Sequence, residues 1–206
     1  MVLHTLVLGA LQTNCYMWAD EKTGNAIVID APDDADKIIE FAKEKGYKIT
    51  DIILTHGHFD HILALSELRE KTGAQLSVHE KTVGFLKDRI LNLCHYVGLD
   101  FVPITPDKIL KDKDVIDFHG NKIEVIHTPG HTEDCICLLL GDTLISGDTL
   151  FRLSVGRWDH PTGSMAEEIN SINQKLMILD DGVKVYPGHG PSTTIGEERR
   201  GNPYLR

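Results

Sequence analysis

Short bursts of alternating or continuous apolar residues open the chain: Thr5 to Leu8, Cys15 to Ala19 and Ala26 to Ile29, set apart by the turn-forming stretches Gln12-Thr13-Asn14 and Thr23-Gly24-Asn25. This pattern predicts three short antiparallel strands. The period then lengthens. Asp33 or Asp34 caps a predicted helix that runs to about Lys45 and stops at Gly46, and a buried strand from Asp51 to Leu54 follows. Strand, helix, strand predicts a crossover unit. A second helix, from about Ile62 to Lys71, stops at Gly73, before a strand from Gln75 to Val78 and a helical stretch over roughly Glu80 to Leu93. From Val115 the alternation returns, predicting strands at Val115 to Phe118, Lys122 to Ile126, Ile136 to Leu140 and Thr143 to Ser146, with a turn at His119-Gly120-Asn121. A last helix, about Met165 to Leu179, and a last strand, Val183 to Tyr186, complete the pattern. Each half thus runs from hairpin-like strands to a helix and a buried strand. The expected class is α/β, two sheets with helices outside.

With 206 residues the chain can bury a substantial core. No low-complexity tract or Pro/Ser-rich linker interrupts it, so one domain over residues 1–206 is expected. The net charge of -10 repels a phosphate backbone and argues against nucleic acid as a partner. Met1 to Leu11 is apolar, but no Lys or Arg precedes the apolar run and it continues into Gln12-Thr13-Asn14, which argues against a secretory signal. No stretch reaches the roughly 20 apolar residues of a membrane helix. Cys15, Cys94, Cys135 and Cys137 are too few and too irregular for a disulfide framework, so the expected residence is cytoplasmic. Cys135 and Cys137 form a C-x-C in an apolar run. One strand face could offer both to a soft metal, but such thiols more often serve as small buried apolar groups.

Histidine is the expected carrier of chemistry, because the eleven histidines cluster. His56 and His58 follow the predicted strand Ile52-Ile53-Leu54; in extended chain, residues i and i+2 project to one side and can reach one metal. Asp60 and His61 fall where the next helix begins, so the chain turns and aims them at a neighbouring point. Other His and Asp residues occupy the same kind of strand-end position, where a rigid scaffold displays functional groups. His127-Thr128-Pro129-Gly130-His131 follows one strand, Asp148 ends Leu144-Ile145-Ser146-Gly147, and His189 lies just beyond the last strand. A carboxylate such as Asp148 can bridge two cations. The donors are nitrogen and oxygen without thiolate, which suits zinc, iron(II) or manganese. A lone strand-end histidine is more often structural than a ligand, but together these positions describe one site.

These motifs, in this order, resemble the metallo-β-lactamase superfamily, and within it the glyoxalase II-like hydroxyacylglutathione hydrolases. The resemblance runs from Leu11-Gln12-Thr13-Asn14-Cys15-Tyr16 through Thr55 to His61, His127 to Thr132, Gly147-Asp148-Thr149-Leu150-Phe151 and Pro187-Gly188-His189-Gly190, and ends at Asn202-Pro203-Tyr204-Leu205. It implies the αββα sandwich, two mixed sheets flanked by helices. It also implies His56, His58 and His131 at a first divalent ion, Asp60, His61 and His189 at a second, and Asp148 bridging them. Zinc is expected first, with iron or manganese as alternatives. His127 then either supports the ligands from behind or has a structural role. Two ions sharing a water lower its pKa from about 16 toward about 7, so hydroxide is available to attack a thioester carbonyl. Asp60 could take up a proton as well as ligate.

The loop after Asp148 departs from the glutathione-binding pattern. It reads Gly156-Arg157-Trp158-Asp159-His160-Pro161: Arg157 keeps a basic position, but Asp159 stands where an aromatic is usual and Leu153 where a glycine is usual. This G-R-x-D-x-P-x-G stretch is more similar to the family's short single-domain hydrolases, which directs the reading toward a small-molecule thioester. Arg157 can pair with a substrate carboxylate in a bidentate fork, or with Asp159 to brace the loop. The alternative activity is that of a persulfide dioxygenase on the same fold, with one iron held by His56, His131 and Asp148. His4, His79, His95, His119 and His160 lie outside the motifs and are expected to be structural or on the surface.

Overall fold

A computed structural model describes residues 1–205. The chain divides into two compact units, residues 1–109 and the residues from Leu110 onward. In the first unit, β1 (Val2–Leu8), β2 (Thr13–Asp20) and β3 (Asn25–Ile29) form the antiparallel meander that the alternation predicts. β4 (Lys48–Ile53) and β5 (Gln75–His79) join it in parallel, and β6 (Lys108–Leu110) completes a six-stranded mixed sheet. The crossover from β3 to β4 is α1 (Ala35–Glu44). The Asp34 carboxylate caps it by accepting the Lys37 N–H at 3.1 Å, which satisfies one of the donors a helix start leaves over. Ala35, Ile38 and Ala42 recur at helical spacing on its buried face and join Val28, Ile52, Leu65 and Leu68 in one core.

Two helices of this unit differ from expectation. The stretch expected from Ile62 to Lys71 begins earlier and is broken into α2 (Phe59–Ile62) and α3 (Leu65–Thr72). At the break the Ala64 N–H donates to the Ala31 carbonyl at 3.0 Å, and the Ala31 N–H donates to the His61 carbonyl at 2.8 Å. These tertiary bonds replace helical ones and pin the first turn beneath the end of β3. The stretch Glu80 to Leu93 holds only one short helix, α4 (Thr82–Phe85). Beyond it Asp88 and Asn92 divert the backbone: Ile90 N–H donates to the Asp88 carboxylate at 2.7 Å and Cys94 N–H to the Asn92 side chain at 3.0 Å. Short polar side chains compete with a helix in this way, a signal already present in the residue types.

In the second unit, β7 (Val115–Phe118), β8 (Asn121–His127), β9 (Ile136–Leu140) and β10 (Thr143–Gly147) form an antiparallel meander. β13 (Lys184–Pro187) pairs with β10 in parallel, and β14 (Thr193–Thr194) lies on the edge of this second six-stranded mixed sheet. A small ribbon, β11 (Leu150–Phe151) with β12 (Ser154–Val155), stands apart from it. The helix expected from Met165 to Leu179 is α-helical only as α5 (Met165–Ser171) and continues as one π turn, Ile172–Leu176. In that turn Lys175 donates to the His127 carbonyl at 2.6 Å and to Asp112 at 3.1 Å. The final helix, α6 (Ile195–Gly201), was not expected, although Thr194 and Glu197 carry the signature of a capped start, and Thr194 accepts the Glu197 N–H at 3.1 Å. Ile172, Leu176 and Ile195 pack with Ile126, Leu144 and Val185. Each unit is therefore a mixed sheet with helices packed on it, as the hydrophobic pattern predicts.

Candidate metal centre

Parallel strands β3 and β4 end side by side, with Ile29 opposite Ile53, and the chemistry of the first unit starts at those ends. His56, His58 and His61 are all buried. His58 occupies the cap position of α2 in extended backbone, so the chain turns there and brings His61 back toward His56. The rings of His56 and His58 lie 4.8 Å apart and those of His56 and His61 4.2 Å apart, centroid to centroid. Ligand atoms of His56 and His58, of His56 and His61, and of Asp60 and His61 each approach within 4.8 Å. The donors of the H-x-H-x-D-H segment therefore lie close together, with His61 beside His56 rather than apart from it.

A residue that the sequence reading passed over holds this cluster. Asp30, buried at the end of β3 with φ +60°, accepts the Thr55 N–H at 2.8 Å, the Thr55 hydroxyl at 2.7 Å and the His61 Nδ1–H at 2.8 Å. Because the Thr55 hydroxyl spends its hydrogen on Asp30, it accepts from His56 Nδ1, at 3.2 Å. Both imidazoles are thus protonated on Nδ1, which leaves each Nε2 lone pair for a cation. The Thr13 hydroxyl donates to Asp60 Oδ2 at 3.1 Å. Asp30 meets the same strand-end criterion that singled out Asp148, so the criterion applied to β3 would have found it.

In the second unit the parallel pair β10 and β13 plays the same part. Gly147 is in register with Pro187, and the Gly188 N–H donates to the Gly147 carbonyl at 2.7 Å, so Asp148 and His189 leave neighbouring strand ends together. Asp148 Oδ2 lies 3.7 Å from His131 Nε2 and 3.6 Å from His189 Nε2. One carboxylate oxygen between two imidazole nitrogens is the arrangement a bridging ligand needs. The His131 Nδ1–H donates to the Arg157 carbonyl at 2.7 Å, which again directs the Nε2 lone pair at the carboxylate. His127 turns away: its Nε2–H donates to the Glu133 carbonyl at 2.8 Å and its N–H to Asp112 at 2.7 Å. Glu168 reaches the same loop from α5, and burial, the largest cause, pushes its carboxyl up to about 9.

Of the two readings of Arg157, the structure has the brace. Its guanidinium grips Asp159 in a bidentate fork at 3.0 and 2.8 Å and holds that carboxyl down at about 2. Both side chains are exposed. Among the other histidines, His4 packs against Phe41 and Tyr47, His119 sits in the β7–β8 turn, and His160 stands edge-on to His131 at 5.5 Å. The cysteines are unbridged and buried. Cys135 pairs with the Thr132 hydroxyl at 3.1 Å and Cys137 with that of Thr128 at 3.4 Å, and burial pushes the Cys137 thiol up to about 12. The apolar reading of the C-x-C holds. A colorimetric thiol reagent should accordingly find almost no reactive thiol in the native protein and all four after denaturation; rapid reaction of Cys135 or Cys137 in the native state would contradict the burial.

A fit to divalent cations follows from the donor chemistry. Buried imidazoles this closely packed, with Nδ1–H groups committed to fixed acceptors, and a carboxylate between two further imidazoles, match nitrogen and oxygen coordination by zinc, iron or manganese. No thiolate enters either cluster among the described residues.

A sequence profile described as the metallo-beta-lactamase superfamily matches residues 8–189. The hydroxyacylglutathione hydrolase GloC of Haemophilus influenzae is 32% identical over 210 residues, which cover 100% of this chain and 98% of that protein. Among solved structures, the BLEG-1 B3 metallo-beta-lactamase matches at a TM-score of 0.94 with 32% identity over 99% of both chains. TTHA1623, solved in a di-iron-bound form, matches at 0.87 with 32% identity over 98% of this chain and 100% of that one. The expected architecture, two mixed sheets flanked by helices, is thereby found.

Proposed function

The chain belongs to the metallo-β-lactamase superfamily, and we propose that it is a dinuclear metal-dependent hydrolase of small-molecule thioesters, of the glyoxalase II type. The observation that carries this reading is the pair of prearranged donor sets, His56, His58, Asp60 and His61 in one unit and His131, Asp148 and His189 in the other. In the proposal the ions would be held by the ligands that the family resemblance implies, His56, His58, Asp60, His61, His131, Asp148 and His189. Zinc is the metal proposed, and the di-iron form of TTHA1623 keeps iron as the alternative. The bound ions would supply a water of lowered pKa and Lewis acidity toward the carbonyl oxygen.

The protein's own groups do the rest. Nδ1 hydrogen bonds to Thr55, Asp30 and the Arg157 carbonyl hold three rings in one tautomer and one orientation, so these rings need not reorganise as charge develops. Asp60, with the Thr13 hydroxyl on Oδ2, takes up the proton that the attacking water releases. The thiol leaving group departs as thiolate, which is an acceptable leaving group because thiols titrate near 8.5. Arg157, if it exchanges Asp159 for a substrate carboxylate, offers that carboxylate the same fork. The GloC relative supports a hydroxyacylglutathione thioester as the first substrate to test.

The net charge supports a small molecule over nucleic acid, and unbridged buried thiols support a reducing compartment, the cytoplasm. No helix among the described residues is long and apolar enough to cross a membrane. The test combines metal analysis with two assays. Two ions per chain, and thiol release from a hydroxyacylglutathione that stops on chelation, are expected. One iron per chain with oxygen consumed on glutathione persulfide would replace hydrolysis by the oxidative alternative.

A further inference from the structure

Three consecutive residues of the second unit's donor loop are held from α5 and its cap residue Ser164. The Ser171 hydroxyl donates to the Pro129 carbonyl at 2.7 Å, the Ser164 N–H donates to the Gly130 carbonyl at 2.7 Å, and the Glu168 carboxyl accepts the His131 N–H at 2.7 Å through Oε2. Glu168 and Ser171 are three positions apart, so they share a helix face. Glu168 is fully buried, a costly place for a carboxyl, and its other oxygen looks toward a second loop. A Cβ added at Gly156 would lie 2.8 Å from Glu168 Oε1 and 2.9 Å from the His131 Cβ, and would strike the Asp148 carbonyl. One added at Gly130 would strike the Glu168 side chain and backbone. Both glycines are therefore required by close approach around this carboxyl. The residue after Gly156 is Arg157, whose carbonyl accepts the His131 Nδ1–H at 2.7 Å.

We propose that Glu168 is a positioning residue that couples the metal ligand His131 to the loop bearing Arg157. It holds the ligand by its backbone and presses against Gly156, so that the Arg157 carbonyl meets Nδ1 and the Arg157 side chain starts from a fixed backbone. A shift of the 156–157 backbone then moves the ring that binds metal, and a shift of that ring moves the loop. Nothing else on α5 touches both loops among the bonds described. This inference rests on the reading of His131 as a ligand, and its test separates the two.

Glu168→Ala removes both acceptor oxygens, whereas Glu168→Gln keeps one and replaces the other with a donor. Zinc affinity, measured by competition with a chromophoric chelator, is expected to fall about 10- to 100-fold in Glu168→Ala, as for other groups that support a ligand from behind, and by less in Glu168→Gln. KM for a carboxylate-bearing thioester should rise along with the fall in kcat, because the Arg157 loop is released too. The melting temperature of the metal-free protein shows whether each variant folds; if Glu168→Ala does not, Glu168→Gln carries the test. Wild-type zinc affinity and unchanged KM in a folded variant would overturn the proposal. His131→Ala is the reference: if it keeps the full zinc complement, the ligand reading fails, whereas loss of zinc there with none in the Glu168 variants sinks the coupling alone.

Discussion

Asp148→Asn is expected to lower kcat/KM for a thioester by more than about a hundredfold and to reduce the metal content below two ions per chain, with the metal-free protein melting within a few degrees of the wild type. Asparagine has nearly the shape of aspartate, so the end of β10 and its register with β13 survive. What disappears is the charge. In the native protein one Asp148 oxygen stands 3.7 Å from His131 Nε2 and 3.6 Å from His189 Nε2, so both rings address the same carboxylate. A neutral amide offers one carbonyl oxygen and cannot offset two divalent charges. The measurement is metal analysis after dialysis, with turnover on the same samples. Two retained ions with wild-type turnover would remove Asp148 from the bridging role.

Asp30→Ala should act on stability as well as on metal. Three donors converge on this buried carboxylate, from the Thr55 backbone, the Thr55 hydroxyl and His61 Nδ1. Alanine leaves the Thr55 N–H and the His61 N–H buried without that acceptor, and losses of this kind cost about 3–5 kcal/mol. The φ of +60° adds to the cost, since alanine tolerates the left-handed region less well than aspartate. Asp30→Asn keeps one acceptor and a residue type at ease in that conformation, and should lose clearly less. Both changes release the tautomers of His61 and, through Thr55, His56, so metal affinity is expected to fall about 10- to 100-fold. Denaturant melts of the metal-free variants and a zinc competition measure the two effects. An Asp30→Ala protein as stable as the wild type would show that the network carries little of the fold.

Much of the site was legible because it is local. His56, His58, Asp60 and His61 lie within six residues, and strand geometry followed by a helix start is enough to gather them. The strand-end rule also found His131, Asp148 and His189, although only the family resemblance chose His131 over His127. The helices were less legible where long-range bonds outcompete propensity. Ala64 bonds to Ala31 and splits the second helix, Asn92 and Asp88 dissolve most of the third, and the last expected helix turns to π geometry over Ile172–Leu176.

The sequence by itself determined the class of fold, the order of its longer strands and the donor types, because hydrophobic period and motif spacing are properties of neighbouring residues. Tertiary structure decided which ring nitrogen carries the lone pair in His56, His61 and His131, and that Asp30 and Glu168 stand behind these candidate ligands. These are contacts between residues up to 37 positions apart, and only the pairing of strands β3 with β4 and β10 with β13, and the seating of α5 on its loops, brings such residues together.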